Sequence, residues 1–407
     1  MHRTYIQRSL DPVIVQAAAE FPAVVLTGPR QSGKTTLLKH LFGDRYKYIS
    51  VELPDVRTSA IVDPRGFLEQ YHPPVIIDEI QHAPDLLPYI KEKIDNNRNR
   101  AGQFLLTGSQ NIHLSEKVTE SLAGRVALLR LLPLSRREEY RTPQKLPIWD
   151  HKHIPESKNL LGLDELWQSF LRGGYPELVT IPHRDTFLWH SSYIQTYLER
   201  DVRSLRQVGD LTQYQIFLRA LAARSGQLLN MTNLSRDLGV AVNTIKAWLS
   251  ILESTYQIMV LRPYHKNIGK RLVKTPKVFF SDVGTLCHLV GLKDPEHAAA
   301  GPMGGTIFET AVLSEIFRTL THMGIQPQIY FWRTFAGSEV DFLVSTQEGL
   351  IPIEVKLSAT PNPSMASRIH MLQKDLGESI LPGYIVHPGD IRLPLGEGVT
   401  AIPFADL

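Results

Sequence analysis

Ala23-Val24-Val25-Leu26-Thr27-Gly28-Pro29-Arg30-Gln31-Ser32-Gly33-Lys34-Thr35-Thr36 is the stretch that decides the fold. An apolar run ends in glycine, and a second glycine, a lysine and a hydroxyl residue follow before a helix-like segment, Thr36–Leu41. The pattern G-x-x-x-x-G-K-[ST] between strand and helix predicts a phosphate-binding loop. Glycines at both ends let the backbone of Gly28, Pro29, Arg30, Gln31, Ser32 and Gly33 wrap closely around phosphates, while N–H groups and the helix N-terminus, with Thr36, supply positive potential. Lys34 then reaches the β- and γ-phosphates and Thr35 offers a hydroxyl to Mg²⁺, so ATP with Mg²⁺ is the expected ligand.

Outward from this loop, short apolar runs recur at Tyr48–Val51, Val75–Asp78, Phe104–Thr107 and Val126–Leu132, separated by helix-like segments. Such alternation predicts a buried parallel sheet with helices between its strands. Val75-Ile76-Ile77 runs into Asp78-Glu79 where an open α/β sheet places its ligand crevice. Asp78 is therefore expected in the Mg²⁺ shell and Glu79 as the base that polarises the attacking water. Ser109 and Gln110, at the end of the Phe104 strand, are candidates for the γ-phosphate, or form only a turn. Arg125 and Arg200 are candidate arginine fingers, because a planar guanidinium suits phosphoryl oxygens; each reads equally as a solvated surface residue.

A chain of 407 residues suits several domains, and its apolar and charged content is that of a globular protein. The formal charge is only +3, so any nucleic-acid surface must come from local clusters. The single cysteine, Cys287, excludes an internal disulfide and a thiolate-rich zinc site, which fits a reducing compartment. Its leucine neighbours predict ordinary burial. No apolar run reaches membrane-spanning or signal-peptide length, giving a cytoplasmic reading. The expected order is an ATPase domain at 1–140, a linker and helical region at 141–225, a winged helix at 226–298 and an α/β domain at 299–407.

The strands, the Asp78-Glu79 pair and the polar end of the Phe104 strand resemble an AAA-type ATPase more than a small-molecule kinase. Across nearly the whole chain the sequence is similar to the prokaryotic AAA-type ATPases that carry a C-terminal domain of unknown function, DUF4143. The matching stretches are Leu122–Arg125, Gly173-Gly174-Tyr175-Pro176, Tyr197–Arg203, Asn267–Lys277, Phe280–Gly284 and Glu339–Phe342. The resemblance implies a P-loop AAA-type domain, a helical lid, ATP binding and DNA-related activity. It implies nucleotide roles for Gly28, Gly33, Lys34, Thr35, Asp78 and Glu79, and secures neither arginine.

Leu234–Leu249 reads as helix, turn, helix, with Gly239 at the first helix end, where a left-handed conformation is needed. Val242, Ile245 and Leu249 take core spacing, leaving Asn243, Thr244, Lys246 and Ser250 outward as groove-facing types. From Tyr256 to Phe280 stand Arg262, Lys266, Lys270, Arg271, Lys274 and Lys277 with no acid. A wing touching DNA phosphates, chiefly through Lys270 and Arg271, has this composition; so has a packing module whose charge is solvated.

In the last region Glu339-Val340-Asp341-Phe342 and Ile353-Glu354-Val355-Lys356 predict neighbouring strands, with Glu354 and Lys356 on one face. Asp341 and Glu354, joined by Glu309 from the preceding helix, could hold a divalent metal while Lys356 orients or activates water at a scissile phosphate. The arrangement resembles the PD-(D/E)xK nuclease superfamily and implies a restriction-endonuclease-like α/β domain, although Val340 stands where that motif has proline. The reading that results is an ATP- and Mg²⁺-dependent hydrolase acting on DNA, with cleavage at the C-terminus left open. The alternative is a nucleotide switch whose C-terminal modules bind a protein partner without cleaving DNA. A finger supplied by a neighbouring subunit would require self-association, and monomer, dimer and ring all fit the sequence.

Overall fold

The computed structural model describes residues 5–109, 118, 120–153, 161–198, 211–265, 275–334 and 337–407. Five parallel strands form the first sheet: β1 (Ala23–Gly28), β2 (Lys47–Ser50), β3 (Val75–Asp78), β4 (Phe104–Ser109) and β5 (Val126–Arg130), in the order β2-β3-β4-β1-β5. Every residue of β1, β3 and β4 is buried, which is why these strands read as continuous apolar runs. Ala23, Val25, Ile77 and Leu106 pack into the core on one face. Val24, Leu26, Ile76 and Leu105 pack into the core on the other. Strand β4 lies between β1 and β3.

Beyond the sheet the chain is helical over Leu163–Arg172, Pro176–Thr180, Thr186–Tyr193 and Leu211–Ala222. Helices Met231–Leu238 and Val242–Ser254 follow, with Gly239 between them at φ 67°, the left-handed end the sequence called for. Ile245, Trp248 and Leu249 are buried, Val242 and Thr244 are half-buried, and Asn243, Lys246 and Ser250 are exposed.

Strands β6 (Ile258–Pro263) and β7 (Lys277–Phe280) form an antiparallel hairpin after these helices. The hairpin is not a separate wing. Arg262 and Pro263 of β6 pair in parallel with Tyr330 and Phe331 of β8 (Ile329–Arg333), which extends the C-terminal sheet. That sheet adds β9 (Glu339–Ser345), β10 (Leu350–Val355), β11 (Gly383–His387), β12 (Leu393–Pro394) and β13 (Val399–Pro403). Its eight strands run β12-β13-β11-β10-β9-β8-β6-β7. One apolar core, from Ile148 through Phe217, Trp248, Phe279 and Phe308 to Leu407, joins the regions expected to be separate at 141–225, 226–298 and 299–407. Phe308 belongs to the long helix Gly304–His322, most of which is buried. Cys287 is buried as expected, and burial pushes its thiol pKa up. No helix among the described residues is long and apolar enough to cross a membrane.

Candidate functional site: the phosphate loop and a second charged centre

The loop begins where β1 meets the chain leaving β5. Gly28 has φ 146°, and a Cβ there would stand 2.1 Å from the Leu131 carbonyl oxygen, so only glycine fits. Gly33, at φ 96°, is the left-handed residue from which helix Lys34–Phe42 starts. Lys34 Nζ donates to the carbonyls of Gly28 (3.0 Å) and Pro29 (2.9 Å), arching over the loop.

Thr35 Oγ1 donates to both oxygens of Asp78, at 3.0 and 3.1 Å. Two further hydroxyls converge on that carboxylate: Tyr48 donates at 2.8 Å from β2, and Thr107 donates from β4. Burial and this contact raise the Tyr48 pKa, so the phenol stays a donor. The hard oxygens of Thr35 and Asp78 suit Mg²⁺.

Glu79 follows in a left-handed conformation, φ 56°, uncommon outside glycine and found where a side chain must be aimed. Its backbone N–H donates to Thr107 Oγ1 at 3.2 Å. Burial pushes its pKa up, but Lys34, a hydrogen bond from Gln81 and Arg30 outweigh it and hold the group below the usual glutamate value, hence ionised. Gln81 also donates to Ser109 Oγ at 3.2 Å. Ser109 thus stands beside Gln81 and Glu79.

Tyr5, Ile6, Leu37, Leu134 and Pro176 line a mainly apolar recess of about 150 Å³ beside Gly33 and Thr36, with Arg8, Glu177 and Thr180 at its wall. Arg30 is near enough to act on Glu79, and its carbonyl accepts from Tyr193 at 3.5 Å. Tyr48, Thr107, Gln81 and the recess were missed from the sequence. Tyr48, Gln81 and Thr107 come from three separate segments that the sheet order β2-β3-β4 brings together, and the recess closes where still other segments meet.

Arg125 is a correction. It precedes β5, whose Val126 pairs with Ala23 at the start of β1, whereas the loop leaves from Gly28 at the other end. There Arg125 is paired with Asp95 at 2.6 and 3.0 Å, so it does not serve the phosphate loop of its own chain. Arg200 and Gln110 lie outside the described residues.

A second charged centre forms on the C-terminal sheet. The antiparallel ladder that pairs Ile353 with Phe342 sets Glu354 opposite Asp341, and Asp341 Oδ2 accepts from the Val355 N–H at 2.8 Å. Glu354 is fully buried; its Oε1 takes Lys356 Nζ at 2.5 Å and Arg368 at 2.9 Å, while its Oε2 is buried without a partner. Lys277 is here too, 3.5 Å from Glu309 and 2.5 Å from Glu339. The expected place of Lys277 on a solvated wing is thereby corrected: it is a buried cation among carboxylates. Burial, with Glu339 adding to it, pushes Glu309 up to about 7 despite Lys277. Burial and the charges of Glu354 and Glu309 raise Asp341 well above an ordinary aspartate.

Glu309, Asp341, Glu354 and Lys356 thus lie in one charged centre. The expected three-acid metal site is not ready-made. Among the described residues no group of three or more acids, histidines or cysteines is placed to hold a metal, since Lys277, Lys356 and Arg368 engage the carboxylates. Lys270 and Arg271, with Lys266 and Lys274, lie outside the described residues.

A family model described as an AAA domain matches residues 20–140, and two domains of unknown function, DUF8612 and DUF4143, match 163–296 and 304–407. The uncharacterized proteins Rv2008c of Mycobacterium tuberculosis and Mb2031c of Mycobacterium bovis are each 33% identical over 387 residues, 94% of this chain and 80% of theirs. The chain belongs to their family, built on a P-loop AAA-type ATPase domain. Among solved structures, the Walker-type ATPase PABY2304 of Pyrococcus abyssi is 17% identical, covering 70% of this chain and 96% of that one at TM-score 0.46. The signal transduction ATPase PH0952 of Pyrococcus horikoshii is 13% identical, covering 79% and 52% at TM-score 0.28. In this AAA-type family member, Gly28, Lys34 and Thr35 of the loop and the Asp78-Glu79 pair fall within the matched AAA domain.

Proposed function

We propose that the chain is a Mg²⁺-dependent ATPase whose C-terminal half engages DNA and carries a metal-dependent nuclease centre. The observation behind the first part is the convergence of Thr35 and Asp78 beside an ionised Glu79. Thr35 and Asp78 would hold Mg²⁺, which when bound neutralises phosphate charge. Lys34 leaves the loop carbonyls for the phosphates, and the apolar recess takes the adenine. Glu79, held by Gln81 and the Ser109 N–H, takes the proton of the attacking water.

At the second centre, the partnerless buried Glu354 Oε2 opposite Asp341 supports a divalent cation, an orphaned carboxylate oxygen being costly unless a ligand satisfies it. Asp341 and Glu354, once Lys356 lets go of the latter, would hold such a cation, which would supply Lewis acidity at a phosphodiester, while Glu309 stays with Lys277. Lys356, released from Glu354, orients the water. Helix Val242–Ser254 offers exposed Asn243 and Lys246 to a duplex, with half-buried Thr244 beside them and Lys270 and Arg271 as phosphate contacts.

A second reading has support of its own: Lys277, Lys356 and Arg368 already balance the carboxylates, as they would in a nucleotide switch whose C-terminal half binds a protein. Plasmid cleavage with Mn²⁺, comparing wild type with Asp341→Ala, separates the two. Cleavage lost in the variant supports the nuclease. No cleavage and no gel shift by wild type would leave the switch.

A further inference from the structure

Arg8 lies in a segment that reads as an unremarkable tail, yet it is buried against the phosphate loop. Its guanidinium reaches three elements at once. Nη1 donates to the Ser32 carbonyl at 3.0 Å, Nη2 donates to the Leu132 carbonyl at 2.6 Å, and Nε stands 3.1 Å from Glu138 Oε1. Glu138 is itself fully buried and accepts from the Ser9 and Ser135 N–H groups, at 2.8 and 2.9 Å.

The third member comes from the other half of the chain. His322, the last residue of helix Gly304–His322, accepts the Leu132 N–H on Nε2 at 3.1 Å. An accepting Nε2 puts the ring proton on Nδ1, which lies 3.0 Å from Glu138 Oε1. Burial alone would push Glu138 up, but Arg8 and His322 outweigh it and hold it well below the usual glutamate value.

The peptide joining Ser32 to Gly33 is planar, with its C=O and N–H pointing in opposite directions. Holding the Ser32 carbonyl against Arg8 therefore turns the Gly33 N–H away from Arg8, as a loop that receives phosphate needs. We infer that Arg8 is a positioning residue for the phosphate loop and that His322 aims it through Glu138, so the helix that carries Glu309 also fixes the nucleotide site. The inference rests on the nucleotide-binding role of the loop. It makes the AAA domain dependent on a side chain from the matched C-terminal domain, through one helix of roughly 28 Å at 1.5 Å per residue.

The test uses the full chain and titrates a fluorescent ADP with Mg²⁺, following melting in parallel. His322→Phe fills the space but offers neither acceptor nor donor; His322→Gln offers both. His322→Phe should weaken nucleotide binding about fivefold or more, which is about 1 kcal/mol, and His322→Gln should recover most of it. Arg8→Lys, which cannot span three acceptors, should weaken binding about tenfold. The double variant Arg8→Lys with His322→Phe should be no weaker than Arg8→Lys alone, because the two act in series. If Arg8→Lys does not fold, the contrast between Phe and Gln at 322 decides alone. Equal binding by wild type and folded His322→Phe would overturn the inference, as would Gln and Phe behaving alike. Wild type that binds no nucleotide would instead overturn the reading of the loop.

Discussion

Thr35 and Asp78, separated by 43 positions in the chain, meet at 3.0 Å because β1 and β3 end on the same edge of a parallel sheet. The hydroxyl that follows the loop lysine and the carboxylate that ends an apolar strand are thus set against each other. Asp78 accepts hydroxyls from Thr35, Tyr48 and Thr107 together. Asp78→Asn should therefore remove the gain in ATP affinity that Mg²⁺ confers while leaving metal-free binding nearly unchanged. Titrations with Mg²⁺ and with chelator check this, and a preserved Mg²⁺ increment counts against the role.

Gly28→Ala should be among the most damaging single changes in the ATPase domain. The added Cβ meets a backbone oxygen at 2.1 Å, and φ 146° is a region side chains rarely adopt. A loss of about 3 kcal/mol or more is expected, read as a large fall in melting temperature. Gly124→Ala, where a Cβ would meet nothing within 4 Å, carries only the strain of its φ of 72° and should be far milder.

Glu138 ties stability to pH in a definite direction. Its folded pKa is depressed by Arg8 and His322 against the opposing effect of burial. The charged form therefore contributes stability that is complete above the ordinary glutamate value of 4.5 and fades as pH falls toward the folded value. Glu138→Gln should lower the melting temperature strongly at pH 7, and the gap to wild type should narrow steadily below pH 4.5. A gap independent of pH would show that packing, not charge, is what Glu138 supplies.

Lys277 and the pair Lys270/Arg271 should behave differently although all three fall in one basic stretch. Lys277→Ala strands Glu309 and Glu339 without their buried cation and should cost about 3–5 kcal/mol in stability. Lys270→Ala with Arg271→Ala should leave melting unchanged, weaken duplex binding and flatten its dependence on salt. Melting curves and salt titrations of DNA binding distinguish the two effects.

What was legible in the sequence follows from how local each signal is. Strands β1, β3 and β4 are buried on both faces, so their apolar runs are unbroken, and the turn chemistry of Gly28 and Gly33 is written in adjacent residues. Asp341, Glu354 and Lys356 were readable because strand alternation and one hairpin fix their common face. Lys277 was not, because a buried lysine and a solvated one look alike until the facing acids are known. The parallel pairing of Arg262 with Tyr330 is set by contacts far apart in the chain, so the hairpin read as a free wing. Arg125 was misplaced because a strand's register decides which edge its first residue faces. Arg8 and His322 carry no motif; each acquires its role only where two distant segments close on Leu132.

The most direct test of the account is ATP turnover by the full chain in Mg²⁺, comparing wild type with Glu79→Gln and Lys34→Ala alongside nucleotide binding. Wild type should release phosphate, Glu79→Gln should bind ATP yet lose turnover by about a hundredfold or more, and Lys34→Ala should lose binding. Undiminished turnover in Glu79→Gln, or a wild type that neither binds nor hydrolyses ATP, would contradict the account.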